Sequence, residues 1–285
     1  LIPAVRSRFP TFHRWLGRHT SSPVLRDAVF VSLALGSCLY GYGLLFVSHT
    51  PSAAAAMGAF MLLHDARHAG RTTGRRAFAA GALAAGVSLF EYPGFVASVV
   101  LCLQALFVLR PRRRLVAFGA GALIPTLAMM HFQWACFGSP FSPGHLYVET
   151  DSFRSLHEQG FFGAVGWQWE AVYGLLLHPG AGLFPLTPIL AFAPLGLGSM
   201  LARRYRRSDA AVALALVLGT LAGIAVMVNW RGGWTIGPRY LVLVYPFLAW
   251  AALHGLEPFW RRAPALTGAL ALGATAVGLL LSGVP

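Results

Sequence analysis

The residues whose side chains are best suited to bind a ligand lie between two apolar runs, at positions 229–240. Arginine suits bidentate binding of phosphate, tryptophan and tyrosine can stack on a sugar ring, and glycine lets a ligand approach the backbone. The stretch therefore predicts a site for an anionic, sugar-bearing ligand. The alternative is an aromatic belt whose arginines anchor to lipid phosphates. The predicted binding residues are Trp230, Arg231, Trp234, Arg239 and Tyr240.

A single carboxylate, Glu91, opens the turn Glu91-Tyr92-Pro93-Gly94 between two further apolar runs. At a membrane face a carboxylate is costly unless it meets water, a cation or a hydrogen-bond donor. We therefore predict that Glu91 is a catalytic residue facing an external cavity. The alternative is an exposed glutamate in a Pro-Gly turn.

Two histidines are further candidates for substrate binding: His49, at the outer end of the first apolar run, and His145, in the turn-rich external segment that follows the run 115–137. His145 or His157 could ligate a metal together with neighbouring carboxylates, but no spacing here is diagnostic, so no metal site is predicted. The chain also lacks the nucleotide-binding and hydrolase motifs that would indicate a nucleotide-driven pump or a soluble-type hydrolase.

The elements that must position these residues are membrane helices, because the composition leaves little polar surface. The chain is 56% hydrophobic and 11% charged, whereas soluble domains carry about 25% charged residues. The net charge of +13 could suggest nucleic acid, but all 22 basic residues are arginines, in short clusters between apolar runs. Cytoplasmic loops of membrane proteins have this pattern. The partners predicted at this point are membrane lipids, and nucleic acid is excluded.

Nine apolar runs predict an all-α protein, a polytopic transmembrane helix bundle with about eight or nine membrane segments in one domain, residues 1–285. Several runs are shorter than the roughly 20 residues that a perpendicular span needs. The runs cover residues 28–48, 52–66, 77–90, 94–109, 115–137, 182–201, 209–228, 238–254 and 265–283.

The distribution of arginine predicts the orientation of the bundle. If residues 1–27 form a cytoplasmic basic segment and the chain crosses at each run, only Arg154, Arg231 and Arg239 of the 22 arginines fall outside. The predicted location is a bacterial inner (plasma) membrane, with the arginine-rich loops cytoplasmic. Residues 138–181 then form a long external loop, in which an aromatic stretch predicts short interfacial helices.

Four acidic residues fall on the arginine-rich side of this topology. Their proximity to arginine clusters in the sequence indicates charge balance within the loops. These residues are Asp27, Asp65, Asp209 and Glu257.

Several stretches, taken in order, resemble segments of bacterial polytopic GT-C-type glycosyltransferases, over roughly residues 30–250. Each motif is short, and the shared order gives the resemblance its specificity. The stretches are Tyr42-Gly43-Leu44-Leu45-Phe46-Val47-Ser48-His49; Glu91-Tyr92-Pro93; Cys136-Phe137-Gly138-Ser139-Pro140-Phe141 with Tyr173-Gly174-Leu175-Leu176 and Gly182-Leu183-Phe184; and Trp230-Arg231-Gly232-Gly233-Trp234-Thr235-Ile236-Gly237-Pro238-Arg239-Tyr240-Leu241 with Tyr245-Pro246-Phe247.

The resemblance implies transfer of a sugar from a polyprenyl-phosphate donor to a lipid, glycan or protein acceptor on the outer face. It implies no cofactor beyond this donor substrate and leaves a divalent metal open. In the family the catalytic base is usually an Asp or Glu in the first external loop, but the first external segment here, 49–51, has no carboxylate. The chain starts with Leu1 and a basic segment without a signal sequence, so we expect it to be the C-terminal part of a longer protein, with the usual base upstream. A second departure is Arg231, where the family has tryptophan.

Within that reaction, Glu91 would orient the acceptor or substitute as base, and Arg231 and Arg239 would stabilise the departing lipid phosphate. An alternative function is a transporter or flippase for an anionic lipid-linked molecule. Such transporters usually contain internal repeats and intramembrane charge, and neither is evident here. A third alternative is an inactive membrane scaffold. The sequence leaves the sugar, the acceptor and the oligomeric state open.

Overall fold

Every regular element that the computed structural model describes is helical, over residues 11–45, 47–161, 163–233 and 237–282. Ala164 forms isolated bridges with Phe161 and Met227. The first helices are α1 (Thr11–Leu16), α2 (Pro23–Ala34), α3 (Cys38–Leu44), α4 (His49–His68), α5 (Gly74–Phe90), α6 (Phe95–Val108) and α7 (Arg113–Phe137). The later helices are α8 (Asp151–His157), α9 (Trp169–Leu176), α10 (Leu183–Leu186), α11 (Ala193–Ala202), α12 (Arg207–Ala225), α13 (Tyr245–Arg262) and α14 (Pro264–Ser282). Short 3-10 turns cover Tyr92–Gly94, Gly144–Tyr147, Pro188–Phe192 and Arg239–Val244. The all-α prediction is confirmed for the described ranges.

Local capping signals explain where two of the early helices begin. The Ser22 hydroxyl accepts a hydrogen bond from the Leu25 N–H at 3.2 Å, and Pro23 fills the first position of α2. The Thr73 hydroxyl accepts from the Arg76 N–H at 3.2 Å and starts α5. Each cap satisfies a backbone donor that would otherwise lack a partner at the helix start.

Several helices have the length and apolarity to cross a membrane, which makes an integral membrane protein plausible. Within the described ranges four qualify singly, and the pair α2 and α3, bent by 58°, would make a fifth. The four are Arg113–Phe137, Arg207–Ala225, Arg239–Arg262 and Pro264–Ser282, and the shorter apolar helices are Tyr92–Val108 and Pro188–Ala202. The α5 helix has 17 residues, and α4 has 20 residues but ends in histidine and charged side chains. The predicted count of eight or nine segments therefore stays a prediction.

The α13 helix and the 3-10 turn before it form the centre of the bundle. All residues from Leu241 to Leu256 are buried. A membrane helix that is apolar all round and buried all round is surrounded by protein rather than lipid. The stretch 229–240, which precedes this central helix, is thereby held at one end of the core.

Contacts between distant residues define the two ends of the bundle. At the arginine-rich end, Arg18 bonds Asp65 at 2.9 Å and His68 bonds Asp209 at 2.7 Å. These contacts gather the last turn of α4, the first turn of α12 and the α1–α2 connection. At the other end, which we call the Glu91 end, the start of α4 meets the end of α5 and the 3-10 turn before α13.

The α5 and α7 helices approach so closely that their backbones are in contact. A Cβ atom on Gly81 would lie 1.9 Å from the Phe118 carbonyl oxygen, and one on Gly121 would lie 2.0 Å from the Phe78 carbonyl oxygen. Only glycine fits at these two positions, as is common where membrane helices cross. This crossing fixes α5, whose last residue precedes Glu91.

Candidate functional site

The centre of the candidate site is a hydrogen bond between the His49 Nδ1 atom and a Glu91 carboxylate oxygen. His49 is the first residue of α4, and Glu91 follows the last residue of α5. The side chains are only 9% and 7% exposed. Glu91 is therefore not exposed, as the alternative interpretation of a glutamate in a Pro-Gly turn would require.

The turn that carries Glu91 is fixed on its other side by Tyr92. The Tyr92 hydroxyl accepts hydrogen bonds from Gln133 Nε2 on α7 and from the Gly144 backbone N–H, both at 3.3 Å. The turn thus ties α5, α6, α7 and the long connection together. Such anchoring gives the Glu91 carboxylate a defined position, as a reacting group requires.

Two tyrosines enclose the histidine of this pair. The Tyr42 and Tyr240 rings lie edge-on to the His49 ring, with centroid distances of 5.0 and 6.2 Å. Because Nδ1 is bonded to Glu91, the carboxylate fixes the tautomer that leaves Nε2 as the ring nitrogen able to accept a proton. A carboxylate-oriented imidazole in a water-poor setting can act in general acid–base chemistry.

Tyr240 links this pair to Arg239. Arg239 Nη2 donates to the Tyr240 hydroxyl at 2.9 Å, and the guanidinium carbon lies 4.8 Å from the centre of the same ring. The buried Arg239 Nε has no hydrogen-bond partner in the described part of the chain. An arginine with an unused donor beside a polar pair can bind an anion.

Gly232 makes room for this arginine. Its φ is +74°, and a Cβ atom there would lie 2.5 Å from Arg239 Nε and 3.0 Å from the Tyr240 ring. The glycine in this part of the stretch 229–240 is thus needed to let Arg239 fold back over Tyr240. The residues Glu91, His49, Tyr240 and Arg239 form one connected group, which we call the outer cluster after the membrane face that the sequence predicts for these residues.

Arg231 and Trp230 lie apart from the contacts of the outer cluster. Arg231 donates a hydrogen bond to Glu170 at 2.7 Å. The two side chains are 66% and 71% exposed. The Arg231 guanidinium lies 4.8 Å from the Trp230 ring, and that ring packs on Gly174 of α9. These residues line a cavity of about 240 Å³. The two arginines predicted to share one phosphate therefore have different partners in the structure.

Two of the predicted binding residues cannot be assigned contacts. Trp234 and the side chain of His145 lie outside the described residues. The other six predicted site residues divide into the outer cluster and the pair of Trp230 and Arg231.

A lateral groove of about 870 Å³ runs between α1–α3 and α4–α5. Arg14 and Arg76 line it at the arginine-rich end, Phe30 and Met57 line its middle, and Thr50 lines it at the Glu91 end. The groove therefore runs along the bundle from the arginine-rich end and ends at Thr50, the neighbour of His49. Its apolar walls suit a hydrocarbon chain.

A second polar cluster lies at the arginine-rich end, and the sequence interpretation of one of its members is wrong. Asp209 was expected to balance nearby arginines, but it is 1% exposed and accepts a hydrogen bond from His68 at 2.7 Å. His64 lies beside it, 3.8 Å from the same carboxylate oxygen. The three side chains could hold a metal ion, since their ligand atoms lie within 4.8 Å of one another. The spacing of four between His64 and His68, which puts both on one helix face, was the signal in the sequence.

Buried histidines and tryptophans extend this second cluster. His19 packs edge-on against His64, with ring centroids 5.4 Å apart, and against Trp250 at the same distance. Burial lowers the pKa of His19 from 6.5 to about 2, with the neighbouring His254 contributing in the same direction. His19 is therefore neutral at physiological pH and behaves as a packed aromatic residue.

Comparisons of the chain with protein-family models, with curated proteins and with solved structures give no match. The functional conclusion rests on the residues and the geometry described above.

Proposed function

We propose that this chain is an integral membrane glycosyltransferase of GT-C type, which transfers a sugar from a polyprenyl-phosphate donor to a lipid, glycan or protein acceptor. The observation that supports this most strongly is the buried His49–Glu91 pair beside Tyr240 and Arg239. An acid–base pair next to an anion-binding arginine supplies the two functions that inverting transfer needs.

The proposed reaction assigns a role to three members of the outer cluster: Glu91, His49 and Arg239. Glu91 orients His49, and His49 Nε2 takes the proton of the acceptor hydroxyl as its oxygen attacks the anomeric carbon of the sugar. The bond between that carbon and the phosphate oxygen breaks, and both of its electrons stay on the polyprenyl phosphate. Arg239 stabilises the negative charge that develops on this leaving group, through the donors that face away from Tyr240.

The lateral groove provides a place for the hydrocarbon part of the donor. Its walls are apolar over most of its length, and it ends beside Thr50, the neighbour of His49. A polyprenyl chain in the groove would bring its phosphate to the Glu91 end. Burial of the polyprenyl chain would contribute about 25 cal/mol per Å² of apolar surface to the binding free energy, and this contribution does not depend on the sugar.

Binding of polyprenyl phosphate, without sugar, tests the donor role of Arg239. We would measure binding by native mass spectrometry of the purified chain in detergent. Arg239→Ala should weaken binding about tenfold or more, because a hydrogen bond to a charged group contributes roughly 1.5–3 kcal/mol. Arg154→Ala is the matched control, since Arg154 pairs with Asp151 at the surface. Equal binding by wild type and Arg239→Ala would contradict the proposed role.

Turnover then tests the chemistry itself. Polyprenyl phosphates carrying radiolabelled hexoses or pentoses would be incubated with membranes that contain the chain, and release of polyprenyl phosphate would be measured. Glu91→Gln should bind polyprenyl phosphate normally but lose transfer by roughly 10²–10⁴-fold, because the amide no longer holds His49 in the tautomer whose Nε2 accepts the proton. Transfer at the wild-type rate by Glu91→Gln would rule out the proposed mechanism.

The length of the lateral groove favours one second candidate, a flippase for an anionic lipid-linked molecule. The groove has arginines at one end and the outer cluster near the other. A flippase would move a fluorescent polyprenyl-phosphate-linked sugar between the leaflets of proteoliposomes without cleaving the bond between sugar and phosphate. Such movement would persist in Glu91→Gln, whereas sugar transfer would not.

A further inference from the structure

The second cluster, at the arginine-rich end, contains a set of metal-binding atoms for which the proposed transferase reaction has no use. His64 and His68 lie on the last turns of α4, and Asp209 lies in the first turn of α12. The Asp209 Oδ2 atom is 2.7 Å from His68 Nε2 and 3.8 Å from His64 Nε2. All three ligand atoms fit within 4.8 Å of one another. Small side-chain rotations would bring them to about 2 Å from one shared ion.

The burial of Asp209 points to a missing ligand. This side chain is only 1% exposed, and its Oδ1 atom makes no hydrogen bond within the described part of the chain. A buried carboxylate oxygen without a partner is costly, because its lost hydration is not replaced. The hydrogen bond from His68 satisfies Oδ2 alone. A cation would satisfy both oxygens.

Three arginines of this end, Arg206, Arg18 and Arg207, have partners other than Asp209 in the described part of the chain. Arg206 donates to the His254 ring at 2.8 Å, and Arg18 bonds Asp65 at 2.9 Å. Arg207 donates through Nε to the Leu201 carbonyl oxygen at 3.0 Å. In a cluster rich in arginine, the buried carboxylate thus faces two imidazoles rather than a guanidinium.

We propose that His64, His68 and Asp209 bind one divalent transition-metal ion, for which Zn²⁺ is the best match. Two imidazoles and a carboxylate suit zinc and its neighbours in the first row, whereas Mg²⁺ and Ca²⁺ prefer sites made of oxygen alone. His68 is 41% exposed, so water can reach a fourth coordination position. The geometry is independent of the proposed transferase function.

The ion would clamp the end of α4 to the start of α12. These helices contribute ligands from positions 141 residues apart in the chain, so the ion would act as a crosslink between distant segments. The other end of α4 carries His49. Binding of the ion would stabilise the folded bundle, because the unfolded chain has no preformed site.

Metal content tests this proposal without any assay of transfer. The full chain, carrying no polyhistidine tag, would be purified with a chelator, dialysed, mixed with Zn²⁺ and analysed by mass spectrometry for zinc. We expect one zinc per chain in the wild type and less than a tenth of that in His68→Ala. His131→Ala is the control, because His131 lies exposed on α7, outside the cluster, and this variant should keep one zinc.

Two further measurements separate loss of the site from loss of the fold. Co²⁺ should give the visible absorption of a four-coordinate site in wild type but not in His68→Ala, and His68→Cys should restore it through a thiolate ligand. Zn²⁺ should raise the melting temperature of wild type and leave that of His68→Ala unchanged. Absence of stoichiometric zinc in folded wild type, or a full equivalent of zinc in His68→Ala, would overturn the proposal.

Discussion

His49 and Glu91 lie 42 residues apart in the chain, and their side chains meet as hydrogen-bonded partners at the Glu91 end of the bundle. The pair joins the first residue of α4 to the residue after α5, where helix packing excludes most water. Burying either polar side chain there without the other would cost free energy, because its lost hydration would not be replaced. The pair is therefore a structural unit as well as the chemical centre of the proposed reaction.

This dual role predicts coupled effects of substitution on stability. Glu91→Ala and His49→Ala should each destabilise the fold by about 1–3 kcal/mol, because each leaves a buried polar partner unsatisfied. The double variant should cost clearly less than the sum, because both partners are then removed. Thermal unfolding of the four proteins in detergent measures this coupling. Strictly additive losses would show that the side chains act independently.

The contacts of Arg239 predict different effects of a conservative substitution, Arg239→Lys, and a non-conservative one, Arg239→Ala. Arg239→Lys keeps the positive charge but loses the planar guanidinium group. In the wild type that group bonds Tyr240 through Nη2, and its Nε has no partner in the described part of the chain. We expect Arg239→Lys to bind polyprenyl phosphate more weakly than wild type and more tightly than Arg239→Ala. Titration of each variant with polyprenyl phosphate gives this order. If lysine bound as tightly as arginine, charge alone would explain the site.

The crossing of α5 and α7 predicts a severe effect from a single methyl group. Gly81→Ala would place a Cβ atom 1.9 Å from the Phe118 carbonyl oxygen, so the two helices must separate. We expect lower yield of folded protein and a lower melting temperature. Gly119→Ala is the matched control, because its Cβ atom meets nothing within 4 Å in the part of the chain that the structure describes, and replacing a helical glycine with alanine gains up to about 1 kcal/mol. Similar melting temperatures for the two variants would refute the close-packing explanation.

The alternation of apolar runs was enough to predict that Glu91, His49 and Arg239 share one end of the bundle. It was not enough to predict that Glu91 bonds His49, because that contact depends on how closely α4, α5 and α7 pack, and glycines such as Gly81 set this distance. Asp209 was misassigned for a related reason. Its nearest charges along the chain are arginines, but its partners lie across the bundle on α4. The position of a residue relative to the apolar runs therefore predicts the end of the bundle at which its side chain lies. The residues that it contacts there depend on how the helices pack.

Two neighbouring glycines allow the position of Arg239 to be tested without altering that residue. Gly232 and Gly233 both have positive φ, +74° and +82°, so alanine strains the backbone at either position by about 1–3 kcal/mol. Only at Gly232 would the new Cβ atom also meet Arg239, 2.5 Å from Nε, whereas at Gly233 it meets no described residue within 4 Å. Gly232→Ala should therefore weaken binding of polyprenyl phosphate about as much as Arg239→Ala, and Gly233→Ala should leave it close to wild type despite a similar loss of stability. Binding and melting temperature measured on the same samples separate the two effects. Equal loss of binding in both glycine variants would mean that the backbone conformation of the stretch 229–240, and not the placement of Arg239, determines binding.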